Sequence, residues 1–234
     1  MAYVVQIRCQ SNESHLSLTT KSSQPIFNTT PAVIGLIALN VIIHLIRQVL
    51  PDQLAQIVVL LGGFSAPIFL ATVLGAQEHF GFILALTPLT YAFLHGDFVH
   101  LAMNMAFLLA FGTAVERYLG WKRFLGLYLV CGIIAVVTSI ALFFLTHEQT
   151  IIVGASGAIS GLFGAVIRIS RQRALVTMGI FIAMNLIMAF TGAPGMGEMR
   201  TIAWETHIGG FVAGYLLLPL FDYPADYYEE DETP

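Results

Sequence analysis

The sequence predicts an all-α polytopic membrane protein, with six transmembrane helices in one bundle and a large membrane-associated first loop. Three observations carry this. Of 234 residues, 57% are hydrophobic and only 10% charged, with a mean hydropathy of +0.80; a soluble domain carries about 25% charged residues. The apolar residues gather into runs close to the roughly 20 residues that a spanning helix needs. The basic residues cluster in two of the links between those runs.

The chain divides into a polar N-terminal tail, residues 1–29, a membrane domain, residues 30–221, and an acidic C-terminal tail, residues 222–234. The first tail lacks the basic start, continuous apolar core and cleavage site of a secretory signal. Span one is PAVIGLIALNVIIHLIRQVL, 31–50, with Pro31 suited to a first helical turn and Thr29 or Thr30 as its cap. Residues 54–74 are long enough to span. Gly62, Gly63 and Pro67 interrupt them and favour broken helices in or near the interface. A seventh span there would move the N-terminus to the outside. Span two covers about 100–119, or starts a turn earlier, and span three 121–145. Span four is short, about 155–169. Span five covers about 173–192 and span six about 202–221.

Arg117, Lys122 and Arg123 flank the link from span two to span three. Arg168, Arg171 and Arg173 flank the link from four to five. Six of the ten basic residues thus fall on one side, which is the cytoplasmic side. Six spans put both tails there too. The starts of spans two, four and six then lie toward the outer face. So few and so clustered basic residues exclude nucleic acid as a partner. The two cysteines, Cys9 and Cys131, lie far apart and indicate no disulfide framework.

An intramembrane polar group is costly unless paired or useful. His95, His100, Asn104, Ser156 and His207 all fall at similar depth, near the outer leaflet. His100 and Asn104 share a helix face four residues apart; Gly96-Asp97 breaks the helix before them, which makes His95 a loop-end residue. A serine hydroxyl needs a base within hydrogen-bond reach, and histidine is the usual one. An oxyanion needs donors already aimed at it, and an Asn amide, an imidazole N–H or the free N–H groups at a helix start all serve. Gly157, Gly161 and Gly164 thin span four; Gly210 and Gly214 thin span six. Close backbone approach would let the short Ser156 reach His207.

LHGDFVHLAMN at the start of span two, GASG at span four and HIGGFVAG in span six, in that order and spacing, resemble the rhomboid intramembrane serine proteases of bacterial type. The resemblance covers about residues 30–221. It implies a rhomboid-like six-helix bundle whose first loop dips into the outer leaflet. It also implies a Ser-His dyad, with Ser156 as nucleophile and His207 as base. His100, Asn104 and the Ser156 backbone N–H would form the oxyanion hole. His95, Gly154 and Gly157 would support the site. The substrates implied are single-pass transmembrane proteins cut near their outer end, in a bacterial inner (plasma) membrane, with the site toward the periplasm and no metal or other cofactor.

Two departures stand out. Some bacterial members carry a Tyr four residues after the nucleophile, stacked on the catalytic His. Here Ser160 stands there, so His207 must be oriented some other way. The first loop also lacks a Trp-Arg pair that some members carry. The family pattern needs no acidic third member, and Glu205 lies on a different helix face from His207.

Two other functions compete. A catalytically dead relative that binds membrane segments would have lost the Ser or the His, and both are present. A metal transporter or metalloenzyme would use His95, His100 and His207, but no carboxylate or Cys joins them, and GASG goes unexplained. Among the remaining polar residues, His44 beside Arg47 reads as interfacial. His15, His79 and His147 fall in the tail or links, and Asn40 and Asn185 read as packing hydrogen bonds.

Overall fold

The computed structural model describes residues 30–75, 81–147, 149–171, 174–191 and 203–222. Among these the regular structure is helical, apart from one isolated β-bridge between Phe64 and Ile152. Both tails lie outside the described residues.

Helix α1, Pro31–Val49, is span one. Pro31 stands at its start, where a missing N–H is no loss. Thr30 precedes it, but its hydroxyl makes no cap bond to the helix. The cap comes from elsewhere. The Glu116 carboxyl group accepts from the Thr30 hydroxyl at 2.5 Å and from the Ala32 and Val33 amides at 3.0 and 2.8 Å. Those amides have no partner within α1 itself. A carboxyl group from another span therefore satisfies them, and they satisfy it in turn.

Helices α2, Asp52–Gly62, and α3, Ala66–Val73, form the first part of the link to span two. At roughly 1.5 Å per residue, α2 is about half as long as the ~30 Å hydrocarbon core. Residues 54–74 thus form two short helices and not one continuous spanning helix. The chain leaves the helix at Gly63, and Phe64 exchanges two backbone bonds with Ile152, of 2.9 and 2.7 Å. Gly63 is required there, since a Cβ would lie 2.6 Å from the Ile151 side chain and 2.7 Å from the Val59 carbonyl. Two short helices follow, α4 (Gly81–Ala85) and α5 (Thr87–Thr90), then a 3₁₀ turn over Tyr91–Phe93. Phe64, Ala66, Tyr91, Ala92, Val136 and Ile152 give this loop its own small core. The Tyr91 hydroxyl ties it to span three by donating to the Gly132 carbonyl at 2.8 Å.

Span two runs continuously from Phe98 to Leu119 as α6 (Phe98–Phe107), a π turn (Leu108–Gly112) and α7 (Thr113–Leu119). It starts just ahead of His100, because the Asp97 side chain caps it, accepting from the His100 amide at 2.8 Å. Gly120, at φ +78°, turns the chain sharply into α8, Trp121–Thr146. Helices α9 (Ser156–Ser170), α10 (Ala174–Thr191) and α11 (Trp204–Phe221) are spans four to six.

By length and composition, α1, Phe98–Leu119 and α8 are long and apolar enough to cross a membrane; α9 and the described part of α10 are shorter apolar helices. The six pack into a helical membrane bundle, and the protein is a multi-pass membrane protein. Its large apolar side chains are exposed around the outside, Val49, Leu145 and Leu175 among them, as a lipid-facing surface requires. Helix α9 sits at the centre, buried from Gly157 through Leu162. Where it meets α11 there is no room for side chains. A Cβ on Gly210 would lie 2.0 Å from the Gly157 carbonyl oxygen, and one on Gly214 1.8 Å from that of Gly161. Lipid offers helices no hydrophobic reason to associate, so such close backbone packing supplies the attraction.

Candidate active site

The β-bridge at Ile152 delivers the chain to Gly154, whose amide donates to the Tyr91 carbonyl at 2.9 Å. Gly154 adopts φ +123°, which L side chains rarely tolerate. A Cβ here would also lie 2.8 Å from Cε1 and Nε2 of His100. Two residues on, Ser156 is the first residue of α9. It therefore sits among amides that the helix leaves unpaired.

His207 lies in the first turn of α11. The tight α9–α11 seam begins beside Ser156 and His207, at Gly157, the residue after the serine, and Gly210, about one turn on from the histidine. That seam brings the two side chains into contact: Ser156 Oγ and His207 Nε2 are 2.8 Å apart.

The other imidazole nitrogen has a partner too. His207 Nδ1 is 2.8 Å from Asn185 Oδ1, and Asn185 Nδ2 donates to the Phe181 carbonyl at 2.9 Å. The donor and acceptor roles follow. A carbonyl only accepts, so the amide nitrogen of Asn185 faces Phe181 and its oxygen faces His207. Nδ1 must then carry the proton, and Nε2 presents a lone pair to the Ser156 hydroxyl. Asn185, read as a packing residue, is instead part of this chain of bonds. It is 5% exposed. No ring contact reaches His207 among the described residues. The nearby aromatic pair Phe181 and Phe211 stacks on itself, with centroids 4.7 Å apart.

His100 and Asn104 lie on α6. The Gly96 amide points at His100 Nδ1 across 3.4 Å, which leaves Nε2 as the protonated nitrogen on the edge facing Gly154. Asn104 is buried, and its Nδ2 donates to the His100 carbonyl at 2.9 Å. That bond uses one of two amide hydrogens. His95 is fully buried in the loop before α6, with its ring edge-on to that of His100 at 5.2 Å. Gly157 is pressed by Ala135, whose Cβ would lie 2.7 Å from an added methyl, and by the Tyr91 hydroxyl at 3.2 Å.

His44 is enclosed by protein. It is 1% exposed, bonded to Gln48 and edge-on to the Phe98 ring. Arg47 donates to the backbone carbonyls of His95 and Gly96, so α1 clamps the loop that carries His95. Asn40 and His44, four residues apart on one face of an apolar span, gave a partial signal, although Gln48 in the same register is exposed. Asn185 gave only a weaker sign, one amide in a run of grease. Among the described residues no three of His, Cys, Asp and Glu come together in a metal-holding group.

Fold and site together define a helical membrane protein in which a serine and a histidine from two spans share a hydrogen bond near the ends of their helices. The family model for the Rhomboid domain matches residues 85–223, more than half of the chain, and the chain belongs to the rhomboid family. It is 38% identical over 133 residues to RHOMBOID-like protein 4 of Arabidopsis thaliana, covering 53% of this chain and 31% of that protein. It is 38% identical over 134 residues to rhomboid protease GluP of Bacillus subtilis (strain 168), covering 56% of this chain and 24% of that protein. With Rhomboid-like protease 1 of Toxoplasma gondii it shares 31% over 139 residues, 56% of this chain and 45% of that one. The chain thus spans less than half the length of these relatives. The family match includes every residue of the site and begins after α3.

Proposed function

We propose that this protein is a serine-type intramembrane endopeptidase with Ser156 as nucleophile and His207 as general base. The observation that carries the reading is the 2.8 Å separation of Ser156 Oγ and His207 Nε2, in a chain of the rhomboid family. The Ser156 oxygen attacks a substrate carbonyl carbon while its proton passes to His207 Nε2. The tetrahedral oxyanion is held by the Ser156 backbone N–H, His100 Nε2–H and the Asn104 amide; one such donor is worth about 2.7–4 kcal/mol elsewhere. His207 then gives the proton to the leaving amine, and the carbon–nitrogen bond breaks. A water molecule hydrolyses the acyl-enzyme by the same steps in reverse roles. Water and the two side chains balance the reaction without a further reagent. Gly154 supports the reading, since its missing side chain leaves the His100 edge open toward Ser156. His95 and Gly157 hold the surrounding backbone in place.

The substrates in this reading are single-pass transmembrane proteins, cut near the outer end of their helix. A helical carbonyl is shielded by its own turn, so residues that weaken the helix at the cut favour cleavage. The membrane is a bacterial inner membrane, with the site toward the periplasm and both tails in the cytoplasm. The grouping of six basic residues at the far ends of the spans supports that orientation.

The test is cleavage of a fluorogenic transmembrane peptide by the full chain in liposomes. Ser156→Ala is expected to lose activity to background, and His207→Ala to fall at least about a thousandfold. Undiminished cleavage by Ser156→Ala overturns the reading. A wild-type protein that binds the peptide and never cleaves it favours a catalytically dead relative.

A further inference from the structure

We propose that Asn185 is the positioning residue that holds His207 in its working tautomer and orientation. The inference rests on the protease reading above and deepens it.

Three features carry it. The first is the bond itself, 2.8 Å between Asn185 Oδ1 and His207 Nδ1. The second is that the amide cannot flip without loss, because Nδ2 is tied to the Phe181 carbonyl one turn earlier in the same helix. The oxygen is thereby aimed across the gap to α11, and a ring nitrogen facing it must carry a proton. The third is burial. An amide oxygen nearly out of solvent, in an apolar span, is costly unless it meets a donor, and the one it meets is His207.

A neutral imidazole has two tautomers, and only the one with its proton on Nδ1 can take the serine proton at Nε2. The partner of the other nitrogen selects between them. In the Ser-His-Asp enzymes, a partner that favours the wrong tautomer drops kcat by about 10⁴. Asn185 supplies the same geometric service without a charge, so it fixes the ring but does not stabilise an imidazolium electrostatically. Removing it frees the ring to rotate and to exchange tautomers. Since Ser160, one turn below the nucleophile, carries no ring to lean on His207, nothing else among the described contacts fixes the imidazole from that side.

The bond also ties α10 to the site. Helix α10 packs against α9 and α11, and Phe181, one turn before Asn185, stacks on Phe211 of α11. A shift of α10 by about the length of a hydrogen bond separates Oδ1 from Nδ1.

The experiment measures kcat and KM separately, on the full chain in liposomes, for wild type, Asn185→Leu, Asn185→Asp and Ser156→Ala. Leucine keeps the volume and removes the acceptor. Aspartate keeps an oxygen in the same place. Asn185→Leu is expected to lose kcat by about 10- to 100-fold with KM within about twofold, as for a group acting only on the chemical step. Asn185→Asp is expected to recover most of that loss. A kcat within twofold of wild type in Asn185→Leu overturns the inference, as does an Asn185→Asp protein as impaired as the leucine variant. If Asn185→Leu does not fold, nitrogen NMR of the wild-type protein decides, with the His207 signal assigned by its loss in His207→Ala. A neutral His207 protonated at Nδ1 supports the inference, and one protonated at Nε2 overturns it. Ser156→Ala separates the two claims: activity there removes the protease reading, whereas an inactive Ser156→Ala beside a fully active Asn185→Leu removes only the role of Asn185.

Discussion

Gly154 shows how closely single residues are constrained here. Its φ of +123° and the 2.8 Å between an added Cβ and the His100 ring leave no place for a methyl group. In Gly154→Ala either the backbone or His100 must move, at about 1–3 kcal/mol of strain. The expected result is a kcat at least about tenfold lower with little change in melting temperature, since the strain falls at the site and not in the core; unchanged kcat would show that His100 does not matter at this edge. Several site residues were legible because each sits in a short contiguous motif. GASG and HGDFVHLAMN announce themselves without knowledge of the fold. Asn185 did not, because its partner lies 22 residues on in another helix and the pairing depends on how two helices are rotated. The burial of His44 was hidden for a different reason. Its place near the end of an apolar span, beside Arg47, fits a residue at the membrane surface, and only the packing around it, with the Phe98 ring edge-on, buries it.

At the scale of helices, the seam between α9 and α11 sets the distance between Ser156 and His207. A Cβ on Gly214 would lie 1.8 Å from the Gly161 carbonyl oxygen. That atom belongs to the backbone, so the helices themselves must part. Gly214→Ala is expected to destabilise the protein by about 1–3 kcal/mol and to reduce activity together with stability. Gly35→Ala is the control: nothing lies within 4 Å of its Cβ, and it is expected to stay within about 1 kcal/mol of wild type. Thermal unfolding in detergent with parallel activity assays checks both. The seam was visible in the spacing of small residues, and the break in the first loop in Gly62, Gly63 and Pro67. The π turn in span two was not, since an extra residue in a helix leaves the apolar pattern almost unchanged. Nor was the cap on α1, which joins Glu116 to residues 83 to 86 positions away.

For the molecule as a whole, composition alone gave the class, because 10% charged residues cannot cover a soluble surface. The arrangement of the bundle follows from six spans and a loop too broken to be a seventh. In the proposed orientation six of the ten basic residues lie at the cytoplasmic ends of the spans, and the site lies toward the outer ends. Asp52, at the start of α2, should then face the outside and Arg123 the cytoplasm. In a Cys9→Ser background, a membrane-impermeant thiol reagent is expected to label Asp52→Cys on intact cells and Arg123→Cys only after permeabilisation. Labelling of both from outside would contradict the orientation. Substrate identity has no such imprint in the chain, because in the proposed mechanism the reacting groups act on a peptide bond that every protein shares.

The most direct measurement is reaction of the purified protein with a fluorophosphonate, with the modified residue located by mass spectrometry. The phosphonyl group is expected on Ser156, and its attachment is expected to be lost in Ser156→Ala and strongly slowed in His207→Ala. An unmodified Ser156 in active protein, or labelling that does not depend on His207, would contradict the pairing on which the mechanism stands.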